Sequence, residues 1–161
     1  MDKCLNQIKS KIQQLRNLKK ENFLVAIYDI NKRLITSEFI GSDRYKNSCT
    51  VSIRILAKLL VNNDNSCYLY VLHNHPDQCS APSYQDMVLT NTIWSLCDIL
   101  SIGFADHIIV SKGYQDFSFD NSSVTFPVTD IENSTKDIIS EYMTANNNEA
   151  LNLFCKNKNT L

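Results

Sequence analysis

The chain has 161 residues, 43% of them hydrophobic and 20% charged, with a formal net charge of −1, so one globular domain is expected. Three Gly and three Pro exclude collagen-like and low-complexity chains, and the near-neutral balance argues against a strongly basic nucleic-acid module. No apolar run reaches the ~18 residues of a membrane span, and the start Met1-Asp2-Lys3-Cys4-Leu5 lacks the apolar centre of an export signal, so a soluble, cytoplasmic protein is expected. The six cysteines (Cys4, Cys49, Cys67, Cys79, Cys97, Cys155) form no Cys-x-x-Cys pair and read as reduced, mostly buried thiols. Charge is uneven: residues 1–20 carry six Lys/Arg against one acid, residues 115–161 three against seven.

In chain order, Leu5, Ile8, Ile12, Leu15 and Leu18 recur at steps of three and four, which predicts one amphipathic helix over 2–20, packed on the body or on a second subunit. Asn22 to Ile30 and Leu34 to Ile40 are β-prone runs joined by Asn31-Lys32-Arg33, a hairpin closed by Gly41. Helical spacing returns over 51–62 at Ile53, Leu56, Ala57 and Leu60. The apolar run Cys67 to Leu72 predicts a buried central strand. Leu89, Ile93, Leu96, Cys97 and Leu100 mark a second helix ended by Gly103, followed by strands at Ala105–Val110 and Phe117–Phe119. Helices interleaved with strands and a hairpin predict an α/β sandwich with a mixed sheet. Past residue 120 the pattern weakens; 130–143 has helical spacing, and the Asn/Lys-rich end reads as a loose tail.

Two of the three histidines fall in His73-Asn74-His75, at the exit of the central strand. Residues i and i+2 of an extended chain point to one side, so both imidazoles can converge on one ion. A satisfied strand-end histidine beside a loop histidine explains the pair equally well. After seven intervening residues come Ser83 and then Asp86, at the start of the second helix and on one face of it. Serine and an acid three apart also make a capping box, but one carboxylate oxygen does not easily serve both a backbone amide and a metal. Two imidazoles and a carboxylate would make a catalytic-type zinc site with an open fourth position.

The spacing His-x-His, seven residues, Ser, two residues, Asp resembles the JAMM signature of the JAB/MPN metalloprotease superfamily. His73-Asn74-His75-Pro76, Pro82-Ser83, Asp86, Thr90 and Asp106-His107-Ile108-Ile109-Val110 resemble its RadC branch more closely, over about residues 21–119. The resemblance implies a three-layer α/β/α sandwich of cytidine-deaminase-like architecture. It implies residues 1–20 as a separate N-terminal helix, 21–119 as the catalytic domain and 120–161 as an extension. His73, His75 and Asp86 would be zinc ligands. Glu21, in Glu21-Asn22-Phe23, matches the distant glutamate and would be the general base, Glu38 being the fallback. Alternatively, Glu21 is an exposed charge closing the helix. Ser83 would stabilise an oxyanion. His107 reads either as support for the site or, more simply, as a strand histidine beside Asp106, and Cys79 as a loop thiol near enough to be a soft ligand or redox switch.

The chain also departs from that pattern. Asp77-Gln78 stands where relatives have Ser-Gly, Val51-Ser52-Ile53-Arg54 where they tend to have Pro-Arg-Glu, and residues 1–20 are too short for the helical-hairpin module that often precedes the domain. A stand-alone, divergent member is expected. Three functional readings compete: a zinc hydrolase acting on a peptide or protein conjugate, a DNA-associated factor using the basic helix, and a non-catalytic scaffold that dimerises through the same helix. Zinc deamination is disfavoured, because its Pro-Cys-x-x-Cys and His-x-Glu elements are missing.

Overall fold

The computed structural model describes residues 3–45, 48–76 and 79–122. The helix expected over 130–143 and the Asp77-Gln78 pair lie outside them. The elements in order are α1 (Lys3–Gln7), α2 (Lys9–Asn17), β1 (Phe23–Tyr28), β2 (Leu34–Phe39), β3 (Ser42–Tyr45), β4 (Ser48–Thr50), α3 (Ile53–Val61), β5 (Tyr68–His75), α4 (Tyr84–Ile99), β6 (Gly103–Ser111) and β7 (Phe117–Ser118). Five strands form one sheet in the order β2-β1-β5-β6-β7, and β3 pairs with β4 in a separate hairpin. Only β5 and β6 run parallel, joined by α4; the other neighbours are antiparallel, so the sheet is mixed, as expected.

Each face of the sheet has its own apolar cluster, which gives three layers. On one side Phe23, Val25 and Ile27 of β1 and Leu69 and Val71 of β5 meet Ile53, Leu56 and Leu60 of α3 and Ile93, Leu96 and Cys97 of α4. On the other, Leu24, Ala26, Tyr28, Leu72, Ile108 and Val110 meet Cys4, Ile8, Ile12 and Leu15 of the N-terminal helices. Strand β1 is buried along its whole length, which explains why it reads as a continuous apolar run and not as an alternating one. Cys97, sealed among these side chains, has its thiol pushed up to about 12 by burial.

The expected single helix over 2–20 is corrected in two respects. It breaks at Ile8, whose backbone leaves the helical region (φ −115°, ψ 16°) although its side chain is fully buried. Packing on the sheet overrides the local period at a β-branched residue. It also stops at Asn17, because the carbonyls of Leu18 and Lys20 accept hydrogen bonds from the Asn74 side chain instead of continuing the helix. The apolar stripe lies on the body of the molecule. Gln7 ties it to the hairpin, its Nε2 donating to the Lys32 carbonyl (2.8 Å) and its Oε1 accepting from the Leu34 amide (2.9 Å). Among the described residues, no helix is long and apolar enough to cross a membrane.

Candidate metal centre

Strand β5 changes character along its length. Leu69 and Val71 point into the α3/α4 core, and two residues further on the same side chain direction belongs to His73 and then His75. The strand runs three residues past the apolar run, because buried polar side chains continue the ladder without continuing the hydrophobic pattern. Both histidines are buried, and their Nε2 atoms lie 2.9 Å apart. Helix α4 starts opposite, with Ser83 as N-cap: its Oγ accepts from the Asp86 amide (3.2 Å) and Asp86 Oδ2 accepts from the Ser83 amide (2.6 Å).

The competition foreseen for Asp86 is resolved by its having two oxygens. Oδ2 completes the capping box, while Oδ1 lies 3.1 Å from His73 Nε2; His75 Nε2 is 3.5 Å from Oδ2. Burial alone would raise this carboxyl, but hydrogen bonds to His73, His75 and Ser83 hold it well below the usual carboxylate range. His75 is pushed down by burial and up, by more, through Asp86 and the Cys79 carbonyl, so its net shift is upward.

Glu21 joins the group. One ligand atom from each of Glu21, His73, His75 and Asp86 lies within 4.8 Å of all the others. Glu21 is half-buried, not the exposed helix-closing charge of the simpler reading. Burial raises its pKa above the usual value, against the opposing pull of His73 and His75. What brings it here is the residue between the two histidines. Asn74 points to the opposite face of β5, where its Oδ1 accepts from the Asn22 amide (2.8 Å) and its Nδ2 donates to the carbonyls of Leu18 (3.3 Å) and Lys20 (3.1 Å). The segment that carries Glu21 is therefore clamped from behind by the strand that carries the histidines.

Of the remaining residues, Glu38 is exposed on β2, accepts from Thr36 Oγ1 (3.2 Å) and is not in the group. Cys79 meets His75 through its backbone: the carbonyl lies 2.9 Å from His75 Nδ1, and the thiol is exposed. His107, which read either as support for the site or as a strand histidine, is fully buried on β6, with Nε2 2.8 Å from His73 Nδ1 and Nδ1 2.6 Å from Thr90 Oγ1. Its neighbour Asp106 faces elsewhere, accepting from Ser118 Oγ and the Asp120 amide. The clamp made by Asn74 and the contact of His107 with His73 escaped the sequence reading because neither residue interrupts a hydrophobic pattern visibly. The only signal was that two polar residues sat within runs otherwise fit for a core.

The donor set suits a divalent ion of the zinc type. His75 Nδ1 is engaged by the Cys79 carbonyl, which leaves Nε2 facing the carboxylates. Ligand atoms 2.0–2.1 Å from a tetrahedral ion lie about 3.3 Å apart, close to the 2.9 Å between the two Nε2 atoms and the 3.1 Å from His73 Nε2 to Asp86 Oδ1.

Comparison with known proteins agrees with this geometry. The family profile of the RadC-like JAB domain matches residues 3–124, well over half of the chain. UPF0758 proteins are similar: one from Actinobacillus pleuropneumoniae serotype 5b (strain L20) is 37% identical over 109 residues, 66% of this chain and 47% of its own. Others from Streptococcus uberis (40% over 111 residues, 67% and 47%) and Pseudoalteromonas translucida (33% over 97 residues, 60% and 42%) match similarly. The chain thus spans less than half the length of these relatives. With a mixed sheet between two helical layers, a His/Asp/Glu group able to hold a metal ion and this match, the chain belongs to the RadC-like JAB domain family.

Proposed function

We propose that the protein is a zinc-dependent hydrolase that cleaves a peptide or isopeptide bond. The observation that carries this reading is the half-buried Glu21 beside three converging ligand atoms, since an acid with a raised pKa next to such a set is built to accept a proton. His73, His75 and Asp86 would hold the ion. Bound zinc supplies Lewis acidity, polarising a carbonyl and making water acidic near neutral pH.

The chain's own groups do the rest. Glu21 takes the proton of the attacking water and returns it to the leaving amine. Ser83 keeps a hydroxyl proton while its lone pair caps α4, so that it can donate to the oxyanion of the substrate carbonyl at the positive end of the helix. A cytoplasmic setting fits the free thiols Cys4, Cys67, Cys79 and Cys97. The DNA-binding alternative draws less support, because Arg16 is held by Asp116 (2.6 Å) and the Ser111 carbonyl (2.9 Å) and Lys11 by the Ser37 carbonyl.

The test is Glu21→Gln, measured for zinc content and for turnover of peptide and ubiquitin-like isopeptide substrates. Full zinc occupancy with turnover reduced at least about a hundredfold is expected. Turnover equal to wild type would remove Glu21 as the base, and a wild type that binds no zinc would remove the hydrolase reading altogether.

A further inference from the structure

The polar atoms behind His73 form a closed circuit whose proton directions follow by elimination. Thr90 Oγ1 is 2.6 Å from the Asp86 carbonyl oxygen and 2.6 Å from His107 Nδ1. A carbonyl only accepts, so the single hydroxyl proton of Thr90 points to Asp86. Thr90 Oγ1 must then accept from His107, which puts the His107 proton on Nδ1 and leaves its Nε2 bare. That bare Nε2, 2.8 Å from His73 Nδ1, accepts a proton from it, so that a neutral His73 holds its lone pair on Nε2, toward His75 and Asp86 Oδ1.

We propose that Thr90 and His107 are positioning residues that lock His73 into its metal-binding tautomer, with the lock closed onto the backbone of Asp86, itself a ligand. The inference rests on the zinc reading in taking His73 and Asp86 as ligands. A metal-bound imidazole usually donates its other N–H to a carboxylate, a carbonyl or water. Here the acceptor is a second imidazole, which has no fixed tautomer of its own and acquires one from a hydroxyl. Water has no access to reverse the order. His107 and Thr90 are both fully buried, and aromatic rings enclose the histidines: Phe119 stacks on His107 at 5.0 Å, Phe23 stacks on His73 at 5.8 Å and meets His107 edge-on at 5.4 Å. Turning His107 into the other tautomer would place its proton on Nε2, and His73 would have to carry its own proton on the atom meant for the ion.

The experiment combines a tautomer measurement with zinc affinity on the full chain. In the metal-free wild type, long-range ¹H–¹⁵N NMR of the imidazoles is expected to read His107 as Nδ1–H. An Nε2–H reading overturns the proposal. Thr90→Val keeps the shape and removes the hydroxyl, and zinc affinity by chelator competition is expected to fall about 10–100-fold, while Thr90→Ser stays within about threefold of wild type. Wild-type affinity in Thr90→Val, or equal weakening in Thr90→Ser, overturns the lock in favour of plain packing. Should Thr90→Val not fold, the wild-type tautomer and Thr90→Ser decide. A wild type that binds no zinc overturns the hydrolase reading and this one with it, whereas tight binding indifferent to Thr90→Val overturns only the lock.

Discussion

The two faces of β5 serve opposite ends. On the α4 side, the strand passes from Leu69 and Val71 to His73 and His75, so an apolar core gives way to the candidate metal group within four residues. On the α1/α2 side the same length passes from Tyr70 and Leu72 to Asn74, whose polar atoms are all directed at the chain leading into β1. One face holds the two histidines of the group and the other holds the piece of chain that carries Glu21. The tripeptide His73-Asn74-His75 therefore fixes both the histidines of the group and their distance from Glu21, through nothing more than the alternation of a strand.

That contrast is open to breaking. His73→Ala strikes the ligand face directly and is expected to abolish stoichiometric zinc and all turnover, as elemental analysis and a substrate assay would read; retained zinc would detach chemistry from this face. Leu15→Ala strikes the packing face, where the side chain is fully buried. Urea unfolding should show a loss of about 2–5 kcal/mol, with the zinc affinity of the folded protein unchanged. Asn74→Ala sharpens the comparison most, because it sits on the ligand strand but acts on the opposite side. It is expected to lower kcat about 10–100-fold by loosening Glu21 while zinc affinity stays within about threefold, and equal losses in both would mean that the two faces are not separable.

Smaller effects follow from charge. His75 has a folded pKa above its ordinary value, so its protonated form competes with an ion. Zinc affinity should rise as pH climbs through that folded pKa. The metal-free protein should behave oppositely: the His75–Asp86 pair contributes stability in full below the ordinary histidine pKa and loses it as pH rises through the folded one. Paired titrations of zinc affinity and of apo thermal stability with the same slope would refute this assignment. Least of all, Arg16→Ala removes a partly exposed bidentate pair with Asp116 and should cost no more than about 1 kcal/mol in thermal or urea unfolding.

Much of the fold was legible because it is written in apolar periodicity. Helices α3 and α4 follow helical spacing, and β1, β5 and β6 show as short apolar runs. The break at Ile8 was not, since the apolar period runs through it undisturbed and only packing against β1 and β5 bends the backbone. Nor was the β3–β4 hairpin, whose strands are short and polar. At the site, Glu21, His73, His75, Ser83 and Asp86 drew attention through spacing and resemblance, and the structure brings Glu21, both histidines and Asp86 to one point. Thr90 and His107 also belong to the resemblance, but the circuit that joins them had no mark of its own. It depends on β6 lying parallel to β5 with Val71 opposite His107, a register that no stretch of local sequence specifies.

Asp86 both closes the first turn of α4 and faces the histidines, and that double duty ties two equilibria together. An ion that draws on Oδ1 stiffens the carboxylate whose other oxygen holds the Ser83 amide, so occupancy and order at the helix start must favour each other by the same free energy. The amide of Ser83 becomes a natural gauge of the ion: its hydrogen exchange should slow on loading. Any partner that orders the Ser83 turn should, in return, slow the ion's escape.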